Sequence, residues 1–327
     1  MSSLLCTRII EKAGKCYGKV VKKLYEEEII MNGIKKVLSM VLAIVCIIGL
    51  FPTAKVEAST VTVNGGYTTR ANAYSWGTYS TTNTITVVLP ETEEDFWVKF
   101  TLPKEKRVYA RCSYSAENEG MYLEMRNSSN RILDEKYSPD DVLDMDTVIP
   151  FMAVACDNLT SSSQTYYIHV NRGTCEGTMY FSLSMNERIK TGRGVFSFSG
   201  TASNPGNSSI SLSGVDSSVL TLNLTNNTAI PPEAIVTSVN TSGTQSPSQG
   251  NVHHMVLPAT ESSTWYTSTV TSASSGHYNI DVSDGFQAAQ RWQFKYNALA
   301  TAKSTMKNVK ITLEWEYDIA NTGYKSY

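Results

Sequence analysis

The chain is short of the residues that most catalytic chemistry needs. It has four histidines in 327 residues, and only His253 and His254 are neighbours. It has no Gly-x-Ser-x-Gly turn and no His-Glu-x-x-His, the spacings that expose a serine nucleophile or hold a catalytic zinc. From residue 59 onward no segment repeats its apolar residues at helical spacing, which excludes a helix bundle or a helix-covered parallel sheet. Lysine, glutamate and leucine are scarce there. Residues 59–327 carry 19 Lys+Arg against 25 Asp+Glu, a net charge near −6. Without a basic stripe, nucleic acid is not an expected partner. Cysteine is sparse as well: of six, only Cys112, Cys156 and Cys175 lie beyond residue 58. An odd number outside the cell points to one disulfide and one buried thiol. Cys112 shares a face with Val108 and Ala110, as a core residue would, so Cys156 with Cys175 is the expected bridge. Spacing alone does not set connectivity.

What the chain does have begins with one long apolar run. Lys35 and Lys36 precede about fifteen apolar residues, Val37 to Phe51, and a polar tail closes on Val56-Glu57-Ala58. A spanning helix needs roughly 20 residues, so residues 31–58 read as a secretory signal peptide cut between Ala58 and Ser59. An uncleaved anchor is the competing reading. Residues 1–30 would delay such a signal. Glu26-Glu27-Glu28 can be encoded by codons that match a bacterial ribosome-binding site, with Ile29 and Ile30 as spacer. Translation is therefore expected to start at Met31, and 1–30 to be an upstream extension. A genuine N-terminal helix is the alternative.

After Ser59 the sequence is rich in Ser, Thr, Asn, Val and Tyr and alternates with period two, as half-buried strands do. Phe96, Val98, Phe100 and Leu102 fall on one face, with Trp97, Lys99 and Thr101 opposite. Met179, Phe181, Leu183 and Met185 repeat the device. The fold class expected is all-β: two tandem antiparallel, jelly-roll-like β-sandwich domains, at 59–188 and 189–327, after the signal. Thr191-Gly192-Arg193-Gly194 reads as the linker. Ser209–Leu212 reads as a strand, and 200–210 and 241–250 as exposed loops. The first domain carries 11 basic and 17 acidic residues and the second 8 of each, so the two surfaces face different things.

Four pieces of the first domain carry a resemblance: Glu94 to Leu102, Met121 to Met125 with Arg131-Ile132-Leu133, Thr165 to Val170, and Tyr180 to Leu183. In order and spacing they resemble the bacterial pre-peptidase C-terminal family, β-sandwiches appended to secreted proteases. The resemblance implies a non-catalytic module that helps secretion, targeting or substrate contact. No peptidase domain precedes it here. It covers under half of the chain, and residues 189–327 match no family by their motifs.

Candidate sites are few. Asp140, Asp141, Asp144 and Asp146 form the densest acidic cluster. Calcium takes six to eight oxygens, so it is the one cofactor this loop could hold, although the glycine of an EF-hand is missing and a solvated acidic loop competes. His253 and His254 should point to opposite strand faces, poor geometry for one metal. His169 and His277 stand alone. Glu314 and Glu316 share a strand face about 7 Å apart, a spacing to weigh for glycoside hydrolysis against a plain solvent face. In Trp265-Tyr266 alternation should turn one ring outward, where it could stack on a sugar.

Together these features describe a secreted bacterial protein with no catalytic residues to name. It would bind or adhere at the cell surface or in the medium. The expected partner is a surface polymer, a glycan or a secreted protein, with no membrane contact after signal cleavage. A lectin or glycan-active enzyme is the second reading, and a structural spore or matrix component the third. Mass spectrometry of the native protein should find a mature N-terminus at Ser59 and no peptide from 1–30. A peptide from that stretch would place the start upstream.

Overall fold

The structure is a computed structural model, and it describes residues 59–114, 119–143, 150–270, 276–282 and 285–327. The signal peptide, residues 1–30, Asp144 and Asp146 lie outside the described residues. The described residues from 59 onward belong to one compact unit in which two β-sandwiches follow each other.

The first sandwich is built from ten strands: β1 (Ser59–Asn64), β2 (Tyr74–Thr78), β3 (Asn83–Leu89), β4 (Asp95–Leu102), β5 (Lys106–Tyr114), β6 (Tyr122–Asn127), β7 (Ile132–Tyr137), β8 (Phe151–Asn158), β9 (Gln164–Asn171) and β10 (Met179–Glu187). They divide into two five-stranded sheets, ordered β1-β3-β10-β5-β8 and β2-β4-β9-β6-β7. Period-two alternation explains the packing. Phe96, Val98, Phe100 and Leu102 of β4 meet Met179, Phe181, Leu183 and Met185 of β10 in one buried cluster. Pairing is antiparallel except for β1 on β3 and β2 on β4, which are parallel. The chain steps from sheet to sheet through its first four strands, so consecutive strands within one sheet are separated by a strand in the other and run the same way.

The second sandwich holds β11 (Ile189–Ser197), β12 (Ala202–Asn204), β13 (Val215–Asp216), β14 (Leu220–Asn223), β15 (Ile235–Ser246), β16 (Val252–Pro258), β17 (Tyr266–Thr267), β18 (Tyr278–Ile280), β19 (Arg291–Ala298) and β20 (Ser304–Asp318). One sheet runs β11-β20-β15-β18, with β12 also on β20. The other runs β13-β19-β16-β17, with β14 also on β19. Trp292, Phe294 and Tyr296 of β19 and Ile311, Leu313, Trp315 and Tyr317 of β20 share one largely apolar buried cluster. The all-β tandem architecture expected from alternation is the one observed.

Four local expectations need correction. Residues 200–210 are not simply an exposed loop: they include β12, paired with β20, and Ala202, Asn204 and Asn207 are buried. Thr191–Gly194 is not a linker but the middle of β11, paired along its length with β20. Its two glycines are there for a reason of space: a Cβ on Gly192 would lie 2.4 Å from the Trp315 Nε1, and one on Gly194 3.0 Å from the same indole. Ser209–Leu212 is a turn, because the Asn207 side chain bonds both the N–H and the carbonyl of Ser211 and leaves Leu212 97% exposed. The stretch beginning at 241 continues β15 to Ser246 over two bulges, with Thr241 buried.

Only Arg188 separates β10 from β11. Its guanidinium reaches Asp318 at 2.8 Å and Asp157 at 3.0 Å, and Arg107 reaches the same two carboxylates at 3.3 and 3.1 Å. Tyr109, Phe151 and Ala153, on the outer side of β5 and β8, are buried with the second sandwich's core residues, and the Tyr109 and Tyr324 rings meet at 4.8 Å. β8 is therefore covered on both faces. Gly192→Ala should cost about 1–3 kcal/mol by overpacking against Trp315, read as a lower urea midpoint. Arg193→Ala, one residue on and exposed, should leave that midpoint nearly unchanged. Equal effects would mean that the glycine does not make room for the indole.

Candidate binding faces

The outer face of β2-β4-β9-β6-β7 collects the chemistry that the sequence scattered. On β4, β6 and β9 the inward residues are apolar and buried except at the strand ends Asn127 and Gln164, so the alternate residues must point outward. Register then sets neighbours. Trp97 pairs with His169, and His169 with Glu124. One step along, Asp95 pairs with Asn171, and Asn171 with Tyr122. One step the other way, Lys99 pairs with Tyr167, and Tyr167 with Arg126.

His169 is not alone. Its Nδ1 lies 2.6 Å from Glu124 Oε2 and its Nε2 2.7 Å from Asp95 Oδ1. A doubly protonated ring satisfies both contacts. Arg126 closes a two-pronged contact on Glu124 at 2.8 and 3.1 Å. Burial alone would raise the Glu124 pKa, but the hydrogen bonds from Arg126 and His169 outweigh it and hold the carboxyl below its ordinary 4.5. Asn171 donates to Asp95 at 2.7 Å. Trp97 lies flat on the His169 ring, with centroids 4.0 Å apart and planes at 14°. The Arg70 guanidinium sits 4.4 Å over Tyr167, and Tyr122 and Tyr137 meet at 4.5 Å. This is an aromatic surface whose rings are held by a charge network beneath and between them. With both nitrogens committed to carboxylates, His169 has none left to activate a nucleophile.

The residues singled out by sequence are placed as follows. Trp265 turns outward under Lys295, whose Nζ is 4.5 Å from the ring centroid and 2.5 Å from Asp216. Tyr266 turns toward Phe286 at 5.6 Å. Asp140 is exposed, and Asp141 accepts from the Tyr137 N–H at 2.9 Å, so its carboxylate caps its own loop. Among the described residues no group of three or more His, Cys, Asp or Glu side chains is arranged to hold a metal ion. Glu314 pairs with the exposed Arg193 at 3.4 Å. The expected Cys156–Cys175 bridge is not formed: all three described cysteines are free and buried. Cys156 sits on β8 at the level of Val108 and Glu187, whereas Cys175 precedes the opposite end of β10. That is a separation of roughly 25 Å along the strands, and Cys175 Sγ donates instead to the Glu119 carbonyl at 3.0 Å. Burial pushes all three thiols up.

No family model matches the chain. It is 40% identical over 269 residues to the uncharacterized protein YbdN of Bacillus subtilis (strain 168), which spans 82% of this chain and 92% of that protein. The chain belongs to the YbdN family. Solved structures similar to this YbdN relative include the pre-peptidase C-terminal domain of a Bacillus anthracis collagenase. That match has 14% identity and a TM-score of 0.26, over 35% of this chain and 94% of that one. A candidate secreted protein of Eubacterium rectale matches at 12% identity and a TM-score of 0.36, over 79% of each chain. Both likenesses concern the fold alone. Among the described residues no helix is long and apolar enough to cross a membrane.

The two adjacent histidines of this YbdN-family chain part company at the strand. His253 faces outward and His254 is 1% exposed. The His254 ring stacks on Tyr278 at 3.7 Å, Nδ1 lies 2.9 Å from Thr241 Oγ1, and Nε2 has no partner among the described residues. Burial pulls its pKa from 6.5 down to about 3. The unfolded chain therefore takes up a proton that the folded core refuses, so stability is lost as pH falls below 6.5. Between pH 6.5 and 4.5 the loss from this group should reach roughly 2–3 kcal/mol. Urea unfolding across that window should show a shallower slope in His254→Gln than in the natural chain. Equal slopes would mean that the imidazole reaches solvent.

Proposed function

We propose that this YbdN-family chain is an exported, non-catalytic binding protein. It attaches to a polymer at the cell surface or in the medium through the outer face of β2-β4-β9-β6-β7. Export rests on the signal-like stretch 31–58. The observation that carries the binding assignment is the set of partly exposed rings, Trp97, Tyr122, Tyr137 and Tyr167, each already fixed by a stacking or cation partner. Rings fixed in advance lose little freedom when a ligand arrives, which favours binding. The Asp95–His169–Glu124–Arg126 network fits a structural brace better than a catalytic centre, because its hydrogen-bonding atoms are spent on one another.

Fractionation of cells and medium tests this. The natural chain should partition with cells or their surrounding matrix, and Trp97→Ala or Tyr122→Ala should shift it into the medium. Leu212→Ala, on an exposed turn of the other sandwich, should not. Retention unchanged by either first-sandwich substitution would overturn the assignment and favour a structural matrix component.

A further inference from the structure

We infer that the polymer recognised by this face is an uncharged polysaccharide, with Trp97, Tyr167 and Tyr122 as separate stacking posts for its sugar rings; this rests on the binding face proposed above. Three observations lead to that chemistry.

The first is composition. No aliphatic side chain points outward from the central strands β4, β6 and β9, where the outward residues are aromatic, charged, amide or hydroxyl; the aliphatic Ile132 stands at the rim, on edge strand β7 opposite Arg126. A protein-binding patch has an apolar core. A face with rings and hydrogen-bonding groups but no aliphatic core suits a ligand that is apolar on its ring faces and hydroxylated around them.

The second is charge. Asp95 and Glu124 are engaged by His169, Asn171 and Arg126, and Arg70 lies on Tyr167. What remains on the face is Lys99 and Glu135, one of each sign. The sandwich as a whole carries 11 basic and 17 acidic residues. Its acidic balance repels a polyanion, and the face itself has no row of free carboxylates to recognise a polycation. An uncharged partner is what this arrangement fits.

The third is spacing. Register places Trp97 and Tyr167 one strand and two residues apart, Trp97 and Tyr122 two strands and two residues apart, and Tyr167 and Tyr122 one strand and four residues apart. With 4.8 Å between strands and 3.3 Å per residue, the posts stand about 8 to 14 Å from one another. That is too far for one sugar and suits several units of an extended chain.

Affinity electrophoresis of the full chain decides the matter. Gels would contain a soluble β-glucan, a galactomannan or a xylan as neutral polymers, alginate as polyanion and glycol chitosan as polycation. At least one neutral polymer should retard the protein. Tyr122→Ala and Tyr167→Ala should each weaken that retardation roughly three- to tenfold, and Leu212→Ala, on an exposed turn of the second sandwich, should leave it unchanged. Tyr122 is 45% exposed, so its loss reads binding without a folding defect. Trp97→Ala, which removes a stacked ring, would be judged only with an unchanged urea midpoint. Retardation by charged polymers alone, by no polymer, or equally in the natural chain and Tyr122→Ala would overturn the inference. If Tyr122→Ala still releases the protein from cells in that case, the binding face stands with a different partner. If it does not, both readings fall.

Discussion

Arg188 carries the constraint on which the rest of the molecule depends. It is the single residue between the last strand of one sandwich and the first of the next. Its backbone N–H donates to the Arg107 carbonyl at 2.9 Å, and its own carbonyl accepts from Ile319 at 3.0 Å. Its guanidinium and that of Arg107 share Asp157 and Asp318. A one-residue connection with both backbone groups bonded has no slack. The second sandwich is therefore seated on the outer side of β5 and β8, where Tyr109, Phe151 and Ala153 join its core. Removing one charge from such a partly buried set would strand its partners, which is why a four-membered network holds where isolated surface pairs contribute little.

That seating has a consequence for function. Of the two sheets in the first sandwich, the one holding β5 and β8 lends its outer side to the neighbouring domain. The other, with β4, β6 and β9, keeps its outer side open, and there the aromatic and charged residues accumulate. The division of labour follows from topology. The strand that leads into the second sandwich, β10, belongs to the covered sheet, so the second sandwich packs on that side. The aromatic face and the domain interface are opposite surfaces of one thin two-layer body.

Much of the fold was legible along the chain. Alternation in β4, β10, β19 and β20 names the buried residues directly, since a strand with one face against a core cannot place its apolar set anywhere else. Strands with weak alternation were missed. Five of the six residues of β1 lie outside the core, and β2 is glycine-interrupted and wholly non-buried. Gly192 of β11 imitates a linker residue because the side chain that fills its space, Trp315, lies more than a hundred residues away, whereas Gly194 is crowded first by Phe196, two residues on. The disulfide expectation failed for the same kind of reason: two cysteines 19 residues apart in sequence stand at opposite ends of a sheet. The site was legible only as fragments. Asp95, Trp97, Glu124 and His169 each lie on the polar side of a recognisable strand, yet nothing in local sequence says that β9 lies between β4 and β6.

By itself, then, the amino-acid sequence determined what is set by nearest neighbours on one strand: the all-β class, the inward and outward residues of the strongly alternating strands, the opposed fates of His253 and His254, and a signal-like apolar stretch at 31–58. Tertiary structure alone decided what depends on strand order and register: the clamp on His169, the open aromatic face, the buried free thiols and the seating of one sandwich on the other. The physical reason is range. Side-chain direction repeats every two residues and is written locally, whereas the lateral partner of a strand is chosen by packing between segments tens of residues apart.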